Sequence, residues 1–138
     1  MKLFLDTSVL IAAVGSERGG SHLLFKVHII KGWKLLTSHY CFAEVLRNLN
    51  KLKNISPWEE KILPFLEIVD DVFTLDKPLV FPISKDKPPL FSALAAEADF
   101  FLTLDRTDFQ TLLGKSLYHM HLLTPAEFLL RQRQQEKI

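Results

Sequence analysis

The first residues of the chain constrain its fold more than any other stretch. The strand predicted over residues 2–6 is apolar from Leu3 to Leu5 without alternation, and it ends abruptly at Asp6. Such a run is typical of a strand buried on both faces, as in parallel sheets covered by helices. Thr7 and Ser8 follow and are residue types that begin helices. The pattern therefore predicts a buried strand that leads directly into a helix, with a carboxylate at the junction.

The remainder of the chain repeats this alternation of strand and helix. Further strands are predicted at residues 34–37, 69–75, 100–104 and 119–123. Helices are predicted at residues 7–14, 21–30, 38–52, 56–67, 86–97 and from 124 onward, with an irregular segment at 76–87. Alternating strands and helices predict a three-layer α/β/α sandwich with a central, mainly parallel sheet. The 138 residues suit one domain spanning 1–138.

Charge and composition favour a cytoplasmic protein and exclude a general attraction to nucleic acid. The net charge is +1, so binding to an anionic polymer would need a local basic patch. A single cysteine, Cys41, excludes an internal disulfide and fits a reducing compartment. No apolar stretch approaches the roughly 20 residues of a membrane helix, and the start of the chain does not resemble a signal peptide.

Several acidic side chains are predicted to meet at one edge of the sheet. Asp6 and Asp105 each close a strand of the buried type, and the carboxyl ends of parallel strands share one edge. Glu44 lies in the second turn of a helix that starts at that edge, and Asp86 begins the helix before the Asp105 strand. Asp108, three residues further on, can reach the same place from the loop.

Carboxylates crowded in this way need a cation. Two like charges about 4 Å apart repel by ~4 kcal/mol at an effective dielectric of 20, and a divalent ion reverses the sign of that energy. Ligands that are oxygen only favour Mg²⁺ or Mn²⁺. Such a site suits hydrolysis of phosphodiesters, in which ions activate water and stabilise the leaving oxygen. The acids therefore predict a metal-dependent phosphoryl-transfer enzyme.

Each acid also has an ordinary structural explanation. Asp86, which precedes two prolines, can act only as a helix cap. Glu44 can be a solvated helix residue, and Asp105 and Asp108 can be loop acids. The prediction depends on the order and placement of the acids together.

The ordered motifs resemble the PIN-domain family of small metal-dependent ribonucleases, which includes the VapC-type toxins of toxin–antitoxin modules. The resemblance covers nearly the whole chain. It is carried by Leu5-Asp6-Thr7-Ser8-Val9-Leu10, Thr37-Ser38, Glu44-Val45-Leu46, Asp86-Lys87-Pro88, residues 98–105 and residues 123–129. Ser8 stands where many members have Asn, and Leu104 stands where Gly is frequent.

The resemblance implies a ribonuclease site and its residues. The catalytic acids would be Asp6, Glu44, Asp86 and Asp105. Mg²⁺ or Mn²⁺ would be bound by Asp6, Asp86, Asp105 and Asp108. Thr7, Ser8 and Thr103 would support these acids by hydrogen bonds. The implied partners are an RNA substrate, a second copy of the chain in a homodimer, and a cognate antitoxin.

Five cations are candidates for contact with RNA phosphates, which supply much of the affinity in such complexes. They are Arg18, Arg47, Lys85, Lys87 and Arg106. Each has the alternative of ordinary surface charge, and Arg47 has a second alternative as the partner of a site carboxylate.

Two other functions fit parts of the pattern. One is a catalytically silent PIN-like module that binds nucleic acid or protein, which would take up no Mn²⁺. The other is a receiver-like signalling domain, in which an acidic cluster holds Mg²⁺ and one aspartate accepts a phosphoryl group from a small phosphodonor.

Overall fold

A computed structural model describes residues 1–52, 54–72, 87–106 and 113–136. The strands are β1 Lys2–Leu5, β2 Lys34–Ser38, β3 Leu66–Val69, β4 Phe100–Leu102, β5 Ser116–Leu117 and β6 Met120–Leu123. The helices are α1 Thr7–Gly15, α2 Gly20–Lys31, α3 His39–Leu49, α4 Lys87–Ala95 and α5 Pro125–Glu136. A π-helical turn at Trp58–Ile62 and a 3₁₀ turn at Leu63–Phe65 precede β3.

The six strands form one sheet in the order β3-β2-β1-β4-β6-β5. All neighbouring pairs from β3 to β6 are parallel, and β5 alone pairs antiparallel. From β1 the chain winds outward to β2 and β3, and then returns to the other side of β1 with β4. The space between the carboxyl ends of β1 and β4 is therefore the point at which the winding direction switches, where open α/β sheets place their ligand sites.

Helices cover both faces of the sheet, because successive strand residues point to opposite sides. Leu3 and Leu5 of β1 pack in one apolar cluster with residues of α1, α2 and α5. Phe4 packs in a second cluster with residues of α4, and its ring stacks on that of Phe101 at 5.4 Å between centroids. The predicted three-layer architecture is confirmed. Within the described residues, no helix is both long and apolar enough to cross a membrane.

The region between α3 and β3 differs from the prediction. The helix expected over 56–67 is present over residues 56–65, with π-helical geometry at Trp58–Ile62 and 3₁₀ geometry at Leu63–Phe65, where it ends. Pro64 has no N–H to donate to the preceding turn and its ring disfavours continued helix. The strand expected at 69–75 instead occupies Leu66–Val69, in register with β2, so that the acids Asp70 and Asp71 follow the strand.

The hairpin of β5 and β6 was not predicted. Its two-residue turn is Tyr118-His119, and Tyr118 has a φ of 56°. Turns of this kind usually carry Asn or Gly, and their absence removed the sequence signal for a hairpin. Residues 73–75 of the expected strand, 76–86 of the expected irregular segment and Asp86 lie outside the described residues.

Candidate functional site

Asp6 lies at the switch point between β1 and β4. Its backbone N–H donates to the Leu102 carbonyl at 3.1 Å, which joins the ends of the two strands. Its own carbonyl accepts from the N–H groups of Val9 and Leu10, the first hydrogen bonds of α1. The residue is only 9% exposed. Sheet and helix together fix where this carboxylate points.

Two hydroxyl groups hold one oxygen of the Asp6 carboxylate. Thr103, which follows β4 and is fully buried, donates from Oγ1 to Asp6 Oδ2 at 2.8 Å. Ser8 Oγ donates to the same oxygen at 3.3 Å, and the two hydroxyl oxygens are 3.4 Å apart. Both residues were predicted to support the site, and the structure brings them to Asp6.

The other carboxylate oxygen faces a thiol. Cys41 Sγ of α3 lies 3.9 Å from Asp6 Oδ1, and the residue is completely buried. Burial, together with the charge of Asp6, raises the pKa of the Cys41 thiol to about 12, so the thiol stays protonated. The sequence analysis missed this contact, because a cysteine within the apolar pattern of a helix resembles an ordinary core residue.

Burial raises the pKa of Asp6 to about 6. The hydrogen bond from Thr103 acts in the opposite direction, and the nearby charge of Glu44 adds to the increase. Among the described residues, no lysine, arginine or histidine is a leading cause of the shift. The carboxylate is thus withdrawn from water without a neutralising cation among those residues.

Glu44 is connected to Asp6 through the neighbouring residue Thr7. Thr7 Oγ1 donates to Glu44 Oε1 at 3.0 Å and lies 3.5 Å from the Cys41 carbonyl. Helix α3 begins directly after β2, at the carboxyl edge of the sheet, and Glu44 lies in its second turn. The structure therefore places Glu44, Thr7 and Asp6 side by side, as the sequence predicted.

The loop after β4 carries Asp105 and is attached to the same hydroxyl groups. The N–H of Asp105 donates to Thr103 Oγ1 at 3.0 Å, and the N–H of Leu104 donates to Ser8 Oγ at 3.0 Å. The Asp105 side chain is half-buried. Ser8 and Thr103 thus bind the buried carboxylate on one side and the Asp105 loop on the other.

The remaining predicted acids, Asp86 and Asp108, lie outside the described residues. Among the residues that are described, no three His, Cys, Asp or Glu side chains are grouped closely enough to hold a metal ion together. Among the described residues, Asp6, Glu44 and Asp105 therefore lie too far apart to bind one metal ion by themselves.

The predicted cations occupy different parts of the surface. Arg18 is exposed in the loop between α1 and α2, and Arg47 is exposed in the last turn of α3. Arg106 follows Asp105, and its guanidinium lies 3.9 Å from Glu127 Oε1 in the first turn of α5. Lys87 is the first residue of α4, and Lys85 lies outside the described residues.

The chemistry of the described donors fits a divalent cation. Asp6 offers a carboxylate whose ionisation is opposed by burial, which a bound cation would reverse. Apart from the protonated Cys41 thiol, its neighbours supply oxygen atoms, the donors that Mg²⁺ and Mn²⁺ prefer.

Similarity to known proteins is found at the level of structure. The chain is similar to a chain in the crystal structure of VapBC2 from Rickettsia felis bound to a DNA fragment from their promoter. The TM-score is 0.60 and the sequence identity is 18%, over 90% of this chain and 98% of that chain. No family model and no curated protein matches the sequence. The similarity agrees with the PIN-like sandwich and, at this identity, concerns the fold.

Proposed function

We propose that this protein is a metal-dependent endoribonuclease that hydrolyses phosphodiester bonds of RNA. The observation that carries the proposal is the Asp6 carboxylate, buried at the switch point of the sheet with a pKa raised to about 6. A strongly perturbed acid in such a crevice is typical of a functional site. The similarity in fold to a chain of a VapBC structure supports a nuclease of the toxin type.

The metal would be Mg²⁺ or Mn²⁺, bound by Asp6 with Asp86, Asp105 and Asp108, while Glu44 completes the catalytic acids. When bound, the ion supplies a water of lowered pKa and stabilises charge on the phosphate. Thr103 and Ser8 orient Asp6 through their hydroxyl groups. Thr7 orients Glu44 in the same way. These residues keep the acids in place without the ion.

The proposal extends to the partners of the protein. The substrate is RNA, whose phosphates would be contacted by Arg18, Arg47, Lys87 and Arg106. The VapBC2 structure combines two proteins with promoter DNA, which supports a cognate antitoxin as a partner for this chain. We also propose a homodimer, because Ile29 and Ile30 on α2 are 68% and 85% exposed and would be covered in it.

The strand order bears on one competing function. Receiver-like domains have the order 2-1-3-4-5, with the third strand beside the first. Here β3 lies at the edge, beyond β2, and β4 is the neighbour of β1. This order favours the nuclease over a phosphate-accepting signalling domain.

The test is cleavage of RNA by the purified protein. We expect cleavage of single-stranded RNA with Mn²⁺, its loss in EDTA, and a loss of at least about 100-fold in Asp6→Asn, because the ion would lose a charged ligand. Thr37→Val is the matched control: its buried hydroxyl donates to the Leu5 carbonyl at 2.9 Å, outside the carboxylate cluster. Full activity of Asp6→Asn would refute the proposal. Absence of Mn²⁺ binding in calorimetry would favour a silent binding module.

A further inference from the structure

Leu104 differs from the other exposed apolar side chains because it lies at the candidate site. The residue is 42% exposed. It directly follows Thr103, whose hydroxyl donates to Asp6, and consecutive Cα atoms are roughly 3.8 Å apart. Leu104 therefore lies at the rim of the crevice that contains the buried carboxylate.

The backbone of Leu104 is held on both sides. Its N–H donates to Ser8 Oγ at 3.0 Å, and its carbonyl accepts from the N–H of Arg106 at 3.0 Å. The next N–H, that of Asp105, donates to Thr103 Oγ1. The loop is thus fixed to the network around Asp6, and it presents an apolar side chain to solvent from a defined position.

A cationic side chain lies two residues further along this loop. The Arg106 side chain is 72% exposed, and its guanidinium lies 3.9 Å from Glu127 Oε1. An exposed apolar group two residues from an exposed guanidinium matches the chemistry of a nucleotide, which has a base with an apolar face next to an anionic phosphate.

We propose that Leu104 determines substrate specificity by contacting an unpaired nucleobase next to the scissile phosphate. This inference rests on the ribonuclease function proposed above. In a duplex the base faces are stacked on one another, whereas in single strands they can turn outward and pack on protein side chains. Leu104 then makes the enzyme selective for single-stranded RNA with a free base at the cleavage site.

The test combines a protein variant with a change in the RNA. The cleavage site in a single-stranded oligonucleotide is mapped with the wild-type protein, and a second oligonucleotide carries abasic nucleotides on both sides of that bond. We expect Leu104→Ala to raise KM for the intact RNA about fivefold with kcat unchanged, because part of a leucine surface is no longer covered. On the abasic RNA, Leu104→Ala should not raise KM further, because the missing base and the truncated side chain remove the same contact.

Two variants serve as controls. Leu104→Met keeps an apolar side chain and should retain the wild-type KM within about twofold. Leu130 on α5 is also an exposed leucine, at 55%, and Leu130→Ala should leave both constants unchanged. A fall in kcat without a change in KM would assign Leu104 to positioning the loop and would overturn the base contact.

The outcomes separate this inference from the function itself. Equal effects of Leu104→Ala on both oligonucleotides overturn the inference while cleavage by the wild type still supports the nuclease. If Leu104 instead contacts an apolar side chain of a partner protein, Leu104→Ala should leave KM unchanged on both oligonucleotides, which also overturns the inference. Failure of the wild-type protein to cleave any RNA with Mn²⁺ overturns the nuclease, and the inference with it.

Discussion

At the scale of single residues, the raised pKa of Asp6 implies that its ionised carboxylate lowers the stability of the folded protein at neutral pH. Its ionised form is withdrawn from water, and the hydrogen bonds from Thr103 and Ser8 only partly offset the lost hydration. Residues at functional sites commonly combine lower stability with the property that the function needs. The buried carboxylate of Asp6, held by Thr103 and Ser8, is such a residue under the proposed function, because burial costs stability while it raises the pKa of the group.

The pH dependence of stability follows from the raised pKa of Asp6. The folded pKa of about 6 exceeds the ordinary aspartate pKa of 3.8, so the folded protein binds the proton more tightly than the unfolded chain. The stabilisation from the protonated form is complete below about pH 3.8 and is lost as the pH rises through about 6. In EDTA at pH 7.5, we expect Asp6→Asn to have a higher free energy of unfolding than the wild type, by about 3 kcal/mol. Urea unfolding measures this difference.

Measuring the stability of Asp6→Asn and wild type at two pH values shows whether the difference comes from ionisation of Asp6. At pH 4 the advantage of Asp6→Asn should largely disappear, because wild-type Asp6 is then protonated in the folded state. Glu67→Gln removes an exposed carboxylate on β3 and should keep the wild-type dependence on pH. If wild type and Asp6→Asn change in parallel between the two pH values, the carboxylate is not the cause.

The sequence predicted some of these residues better than others. Asp6 could be placed because it closes a strand, and strand ends share one edge in a parallel sheet. Thr7, Ser8 and Thr103 were placed beside the acids by the resemblance of the motifs to a known family. The contact of Cys41 with Asp6 could not be predicted, because it depends on how closely α3 approaches β1. The exposure of Leu104 depends likewise on the course of the loop.

At the scale of elements, helix α3 is capped by two different parts of the chain. Ser38 Oγ accepts from the N–H of Cys41 at 3.2 Å, as the sequence predicted for a residue before a helix. Asp71, which follows β3, accepts from the N–H of Tyr40 at 2.9 Å. The second cap joins the edge strand of the sheet to the helix that carries Glu44.

The neighbouring acids Asp70 and Asp71 allow a controlled test of this cap. We expect Asp71→Ala to lower the free energy of unfolding by about 1 kcal/mol, because the N–H of Tyr40 loses its acceptor. Asp70→Ala removes an exposed carboxylate one residue earlier and should leave the stability unchanged. Urea unfolding of both variants measures the difference. Equal losses would show that charge after β3, and not the hydrogen bond, stabilises the protein.

The position of β3 shows where prediction of the elements fails. Ile68 and Val69 favour a strand, yet the strand begins at Leu66, where helix had been expected. Pro64 ends the helical turns, and pairing with β2 then fixes the register of the strand. The pairing partner is about 30 residues distant along the chain, so local patterns do not contain this information.

At the scale of the whole molecule, the proposed metal is expected to stabilise the fold. A ligand that binds only the folded chain adds about 2.7 kcal/mol at a concentration 100 times its dissociation constant. We expect saturating Mn²⁺ to raise the melting temperature of the wild type by about 10 °C, given its size. Asp6→Asn should show little change. An equal increase in both proteins would place the ion elsewhere.

The separation of Asp6 from Thr103 along the chain has a consequence for synthesis. The hydrogen bond between them joins residues 97 positions apart, and β4 can enter the sheet only after the residues between β1 and β4 have been made. A nascent chain that ends before Leu102 contains Asp6 and Glu44 but neither Thr103 nor Asp105. In the proposed nuclease, the site would be completed only after Thr103 and Asp105 have been synthesised. An unfinished chain would therefore lack the activity proposed for the folded protein.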